Sequence, residues 1–260
     1  MPRVSVADQS IYYRASTNDL TGRKSPLLLI HGAGGTHMHW PAALRRLPDW
    51  TVYALDLPGH GNSAPPGRDS IAAYRDVIYG VCQALQLPRV VLVGHSMGGA
   101  IVQDFALHFP QRLAGMALIG TAARLRVAPA ILDGVRTDFP ATARLITEWV
   151  HAQNGSEQLQ RMYYQRLLEV DPEVLHGDFY ACEHFDLRAD TARLDTPALV
   201  VCGTADVMTP PKFSESLVQT LPNARLVLLP NVGHMAQLEA PEAVATAVTA
   251  FLEEIEARGK

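Results

Sequence analysis

Short apolar runs that alternate with amphipathic helical stretches predict an α/β fold, a mostly parallel eight-stranded sheet with helices on both faces and a helical lid inserted after the sixth strand. Three observations carry this. Residues 27–30, 90–93, 115–119 and 198–202 contain no polar side chain, the pattern of strands buried on both faces of a sheet. Between such runs, Ile71, Tyr74, Val77, Ile78, Val81 and Leu85 recur at spacings of three and four, the period of a helix. The alternation stops between Thr121 and Asp190 and then resumes. Residues 1–120 and 191–260 are therefore expected to form the core and 121–190 the lid.

Taken in order, Val4-Ser5-Val6 and Ile11-Tyr12-Tyr13-Arg14 predict a starting antiparallel hairpin. A loop at 18–22 leads to the buried strand 27–30, which ends at His31-Gly32-Ala33-Gly34-Gly35, a glycine-rich loop. Pro41 opens a short helix. Strand 51–55 runs into the turn-rich segment Asp56-Leu57-Pro58-Gly59-His60-Gly61-Asn62-Ser63, where short Asp side chains commonly organise the turn; Asp56 is expected to anchor this loop and His60 to be a simple loop residue. Helix 71–87 leads through Pro88 into strand 90–93, helix 99–109 stops before Pro110, and strand 115–119 follows. The lid carries helix-like stretches broken by Pro129, Pro140, Gly155 and Pro172. Its aromatic and aliphatic residues suggest an apolar pocket wall. It holds seven arginines against eleven Asp and Glu, so its charge gives no support for an acidic substrate. Strand 197–202, helix 212–221, strand 225–229 and helix 240–256 complete the alternation.

The chain has 260 residues, 48% hydrophobic and 18% charged, with a formal net charge of -4. That is an ordinary globular composition and gives no basis for a nucleic-acid or anionic-membrane partner. Cys82, Cys182 and Cys202 are odd in number and widely spaced, which argues against a disulfide framework. The first residues show no basic segment followed by an apolar stretch and no segment is long and apolar enough to span a membrane, so the expected location is cytoplasmic.

Gly94-His95-Ser96-Met97-Gly98 is a G-x-S-x-G pattern between strand and helix. Its small residues let the chain turn sharply and push the serine oxygen out at the top of the sheet. The N–H of Met97, at the start of the helix, is then free to bind a developing negative charge. In the earlier glycine-rich loop there is no phosphate-binding signature of either Gly-rich type, so an oxyanion loop is preferred, with the N–H of Ala33 as donor and that of Gly34 as the close alternative. A serine hydroxyl needs a base within reach, itself held by an acid. His234 and Asp206 each follow a late buried strand, which puts both at the carboxyl edge of the sheet with Ser96. His37 and His39 have a metal-like spacing but no further ligand nearby. The expected pocket residues are Gly34 and His95 from the core and Trp149, Met162 and Tyr163 from the lid.

Through these motifs, with Gly203-Thr204-Ala205-Asp206 and Gly233-His234, the chain resembles the α/β-hydrolases along nearly its whole length. The resemblance implies a nucleophile at Ser96, a base at His234, an acid at Asp206 and oxyanion donors at Ala33 and Met97, with no cofactor or metal. Some similar proteins place the acid after the strand that precedes the lid; here that position reads Gly120-Thr121-Ala122-Ala123 and offers no carboxylate. Gly-His-Ser-Met-Gly-Gly is similar to carboxylesterases and monoacylglycerol lipases. The implied function is a serine hydrolase of small to medium apolar carboxylic esters, working through an acyl-enzyme. Enol-lactonases, carbon–carbon bond hydrolases and hydrolase-like ligand sensors share the resemblance. His95 before the serine and the absence of proline from residues 32–35 count against the carbon–carbon class.

Overall fold

The centre of the sheet is β5 (Val90–His95), flanked in parallel by β3 (Leu27–Ile30) and β6 (Leu113–Ile119). With β1 (Arg3–Val6), β2 (Gln9–Thr17), β4 (Thr51–Leu55), β7 (Ala198–Gly203) and β8 (Ala224–Leu229), it forms an eight-stranded sheet of order β1-β2-β4-β3-β5-β6-β7-β8. Among the described residues of this sheet, the β1–β2 and β2–β4 pairings are antiparallel and the others parallel. The computed structural model describes residues 2–19, 24–153 and 155–258. The loop expected at 18–22 lies in part outside them, at Leu20, Thr21 and Gly22.

Successive side chains of a strand point to opposite faces, and here both faces are covered. Leu28, Ile30, Leu92, Met116, Leu118 and Val200 pack into one buried layer, Leu27, Leu29, Val91, Val93, Ala117, Ile119, Leu199 and Val201 into the other. The first layer is closed by α2 (Ile71–Ala84), α3 (Met97–His108) and α8 (Pro211–Thr220), through residues such as Tyr74, Phe105 and Leu217. The second is closed by α1 (Ala42–Arg45) and α10 (Pro241–Arg258), through Leu44, Val248 and Phe251, with Trp40 and Trp50. A side chain of this kind contributes about 1.5–3 kcal/mol when fully buried, which explains why uninterrupted apolar runs were required of the strands.

Between β6 and β7 stand α4 (Pro129–Thr137), α5 (Phe139–Val150), α6 (Glu157–Leu167) and α7 (Pro172–Glu183). Three of their starts are fixed by polar caps: Asp138, Ser156 and Asp171 each accept an N–H from the first turn, as helix N-termini demand. Their apolar faces form a third cluster with Met235, the residue after His234. The insertion leaves and rejoins the core at one neck, where Arg124 bridges Asp186 and Leu187 N–H donates to Ala123 C=O at 2.7 Å. The short helix α9 (Ala236–Glu239) follows the His234 loop. No helix among the described residues is long and apolar enough to cross a membrane. The three cysteines are buried and unpaired, and burial pushes the Cys202 thiol up to about 11.

Asp56, fully buried after β4, organises its loop. It accepts the His37 N–H at 2.6 Å, the His37 Nδ1–H at 2.8 Å and the Asn62 N–H at 2.8 Å. Burial by itself would push the carboxyl up, but the donors from His37 and Asn62 outweigh that and hold it below its usual range. Removing it leaves the two buried His37 donors without an acceptor, so Asp56→Ala should cost about 3 kcal/mol of stability, read by chemical denaturation. Because the folded value lies below the unfolded one, the contribution is present above roughly pH 4 and is lost as the pH falls through the folded value. The wild-type advantage over Asp56→Ala should therefore shrink in acid and stay constant from pH 5 to 7.

Candidate active site

Ser96 lies between the end of β5 and the start of α3, at φ 52° and ψ −117°. This is a left-handed backbone that a non-glycine residue adopts only when its surroundings force it. The force comes from close approach. A side chain on Gly94 would drive into the backbone at Gly98 and Gly99, and one on Gly98 would drive into the carbonyl of Ile30. The turn has a chemical result. Serine is a preferred helix N-cap, yet the Ser96 hydroxyl makes no capping bond to α3 and is left for other work, while the Met97 N–H at the helix start has no partner among the described residues.

His234, in the loop after β8, and Asp206, in the loop after β7, meet in the same place. His234 Nδ1 is 2.9 Å from Asp206 Oδ2, and both side chains are almost wholly buried. The N–H groups of Met208 and Thr209 donate to Asp206 Oδ1 at 2.9 and 2.8 Å, and the Thr209 hydroxyl to Oδ2 at 2.8 Å. Burial alone would push the Asp206 carboxyl up, but His234 and the Thr209 donors together hold it below the usual range. An ionised acceptor opposite Nδ1 places the ring proton on Nδ1 and leaves the Nε2 lone pair. Ser96 and His234 line one cavity of about 30 Å³, room for a water or two. The His234 ring bonds Asp206 and Thr209 and makes no hydrogen bond to the Ser96 hydroxyl.

Gly120, in the stretch 120–123 that follows β6 and holds no carboxylate, has a left-handed φ of 53° and lies against the His234 ring, so a side chain there would be strained.

The glycine-rich loop after β3 faces the same cavity through Gly32 and Ala33. The Gly32 carbonyl accepts from His31 Nδ1–H at 2.8 Å and from Gly35 N–H at 3.0 Å. The Gly34 N–H donates to Asp178 Oδ2 at 2.8 Å. Of the two donors the sequence left open, Gly34 is thus occupied, whereas the Ala33 N–H has no partner among the described residues.

Of the expected pocket residues, His95 and Tyr163 line the cavity. Three do not. Gly34 is turned toward Leu167 and Leu175 of the insertion. Met162 is 54% exposed, because adjacent residues of a helix face different ways and Tyr163 takes the inward direction. Trp149 lines a separate open cleft of about 790 Å³ with His151 and Val207, one residue round the helix from Val150, which does face Ser96. The sequence reading missed Ile146, Val150, Phe179, Met208 and Met235, which supply the apolar wall, and His39, which stacks on Tyr163 with ring centroids 5.6 Å apart. The signal for Ile146 and Val150 was their spacing of four on one helix face. Nothing in the sequence distinguishes His39. Among the described residues no three His, Cys, Asp or Glu side chains gather to hold a metal. Burial, with a further push from His60, drives His39 down to about 4, so it is neutral near pH 7.

His95 donates Nε2–H to the His234 carbonyl at 3.0 Å, and burial, then His234, keep it well below the usual histidine range. It is a neutral support of the loop that carries His234.

Residues 27–247 match the model of the alpha/beta hydrolase family. The chain belongs to this family. Over 248 residues it is 34% identical to a dihydrolipoyllysine-residue acetyltransferase component of the acetoin cleaving system of Pseudomonas putida, covering 88% of this chain but spanning only 63% of that longer protein. It is 29% identical over 240 residues to a pimeloyl-[acyl-carrier protein] methyl ester esterase of Neisseria meningitidis serogroup B, covering 86% of this chain and 92% of that one. Among solved structures, the enol-lactonase from Burkholderia xenovorans LB400 superposes with a TM-score of 0.90 at 25% identity, over 97% of this chain and all of that one. Within this family the chain is thus similar to a methyl ester esterase and to an enol-lactonase.

The Thr209 hydroxyl, 2.8 Å from Asp206 Oδ2 and 3.3 Å from His234 Nδ1, is a test of how far the acid's environment matters. Thr209→Val keeps the shape and removes one donor worth about 1–1.5 kcal/mol. Steady-state ester hydrolysis should fall about tenfold in kcat, with KM unchanged.

Proposed function

We propose that the protein is a cofactor-independent serine hydrolase of carboxylic esters, with Ser96 as nucleophile, His234 as base and Asp206 as the acid that orients it. The observation that carries this reading is the 2.9 Å contact of His234 Nδ1 with Asp206 Oδ2, opening on the same cavity as the strained, uncapped Ser96. The likeness to a methyl ester esterase supports it.

In this reading Ser96 Oγ attacks the ester carbonyl carbon as its proton passes to His234 Nε2. The carbonyl oxygen takes the negative charge between the N–H groups of Ala33 and Met97, each such donor being worth about 2.7–4 kcal/mol in the transition state. Asp206 stabilises the imidazolium. Collapse breaks the bond to the alkoxy oxygen, which leaves as alcohol with the proton from His234. A water, deprotonated by His234, attacks the acyl-enzyme, and Ser96 leaves with the proton returned. The four helices at 129–183 act as the lid of this site. Their apolar residues, with the small cavity they line, favour small to medium apolar acyl groups.

A second reading, lactone hydrolysis on the same groups, is supported by the similarity to the Burkholderia enol-lactonase. The test is steady-state hydrolysis of p-nitrophenyl esters from acetate to dodecanoate, with enol-lactones alongside, by wild type and Ser96→Ala. Ester turnover should peak at short to medium acyl length and fall by about 10⁴-fold or more in the variant, with the circular dichroism spectrum unchanged. Retained turnover in Ser96→Ala overturns the assignment, and turnover of lactones far above all esters selects the second reading.

A further inference from the structure

We propose that Asp178, on helix α7 of the insertion, is a positioning residue that sets the direction of the Ala33 N–H toward the substrate oxygen. This rests on the reading of Ser96 and Ala33 given above.

Two peptide planes meet at the Ala33 Cα. The first, Gly32–Ala33, carries the donor. Its carbonyl is held by His31 Nδ1–H at 2.8 Å. The other ring nitrogen, Nε2, accepts from the Leu57 N–H at 3.0 Å, so the proton of His31 is fixed on Nδ1. In a trans peptide the N–H points opposite to the C=O, so fixing the Gly32 carbonyl turns the Ala33 N–H the other way. The second plane, Ala33–Gly34, is held from outside the core. Its N–H donates to Asp178 Oδ2 at 2.8 Å, across 144 residues of sequence.

Asp178 is itself immobilised. It is fully buried and accepts from His60 Nε2 at 2.8 Å and from the Tyr74 hydroxyl at 2.5 Å. His60 Nδ1 faces the Pro58 carbonyl at 2.9 Å. Opposite an ionised Asp178, both nitrogens of His60 face oxygens that only accept, and the ring then carries both protons and gives the carboxylate a buried cation. Three core elements thus hold one side chain of the insertion, and through it the second plane of the oxyanion loop. The ion pair anchors α7 to the core, and the Gly34 bond makes the geometry of the loop depend on α7 being seated.

Asp178→Ala, Asp178→Asn and Tyr74→Phe test this in the full-length chain. Asp178→Ala removes the acceptor of the Gly34 N–H and should lower kcat on a short p-nitrophenyl ester about 10- to 100-fold, less than the 10²–10³ of losing a donor outright, with KM within threefold of wild type. The affinity of a trifluoromethyl ketone, whose adduct with Ser96 bears the oxyanion, should fall by the same factor. Asp178→Asn keeps an oxygen for Gly34 and should recover kcat to within fivefold of wild type. Tyr74→Phe removes a bond to Asp178 but none to Gly34; it should lower Tm and leave kcat within twofold. If Asp178→Ala does not fold, Asp178→Ser, whose hydroxyl is too short to reach Gly34, takes its place. The proposal is overturned if the deletion variant keeps kcat within twofold, or if kcat tracks Tm on one line through Tyr74→Phe and Asp178→Ala. Absence of Ser96-dependent turnover in the wild type would instead remove the functional reading beneath it.

Discussion

The close approach of α3 to β3 and β5 is the constraint from which the site follows. Gly98 lies directly against the Ile30 carbonyl and Gly94 against the Gly98 backbone, so the chain must reverse from strand to helix within one residue. That residue is Ser96, at φ 52°, a conformation costing about 1–3 kcal/mol. The buried layers on both faces of β5 offset it: Val91, Leu92 and Val93 are each exposed by 1% or less. The reward is chemical. A helix begins without a side-chain cap, Ser96 lines the cavity, and the parallel sheet brings the loops after β7 and β8 to the same edge.

Histidines hold much of the surrounding backbone. His31 ties the glycine-rich loop to Leu57, His37 ties its own turn to Asp56, and His95 donates to the carbonyl of His234. His60, between two glycines, joins Pro58 to Asp178. A ring with two nitrogens can bridge two backbone segments that have no regular secondary structure to satisfy them, which a buried loop needs. This explains the density of histidine next to glycine in the loops at the carboxyl edge.

The central strands were legible because burial on both faces demands apolar runs, and β3, β5, β6 and β7 lie where those runs are, with helix ends shifted by up to three residues. The loop positions of Ser96 and Asp206 were legible for the same reason, since each follows a wholly buried strand; His234 follows β8, an edge strand that is only partly buried, contrary to the buried strand expected there. The insertion was legible as helices but not as a surface. Met162 and Tyr163 are adjacent in an apolar stretch, and only the packing of α6 decides which one turns inward. Asp178 was hidden by its company. It sits on α7 between Glu173 and Glu183, in a stretch rich in acids, and reads as one more solvated carboxylate. Only the fold, which brings His60 and Tyr74 to it, shows that it is buried. His60 was hidden likewise by two glycines that make any residue between them look like a turn.

The proposed chemistry requires one imidazole to take up and release a proton in each half-reaction while others stand within a few ångströms. The structure separates them by hydrogen bonding and burial. Burial, aided by His60, keeps His31 well below the usual range, and burial with His234 does the same for His95; His39 falls to about 4. These three stay neutral near pH 7. His60 is the opposite case. Burial pulls it down, but the Asp178 carboxylate, the hydrogen bonds to Asp178 and Pro58 and the charge of Asp56 raise it above the ordinary value. Its protonated form also helps to keep His31 and His39 uncharged. His234 alone among them has an ionised carboxylate on one nitrogen and the cavity of Ser96 at the ring. Proton transfer is thereby confined to the one histidine placed to use it.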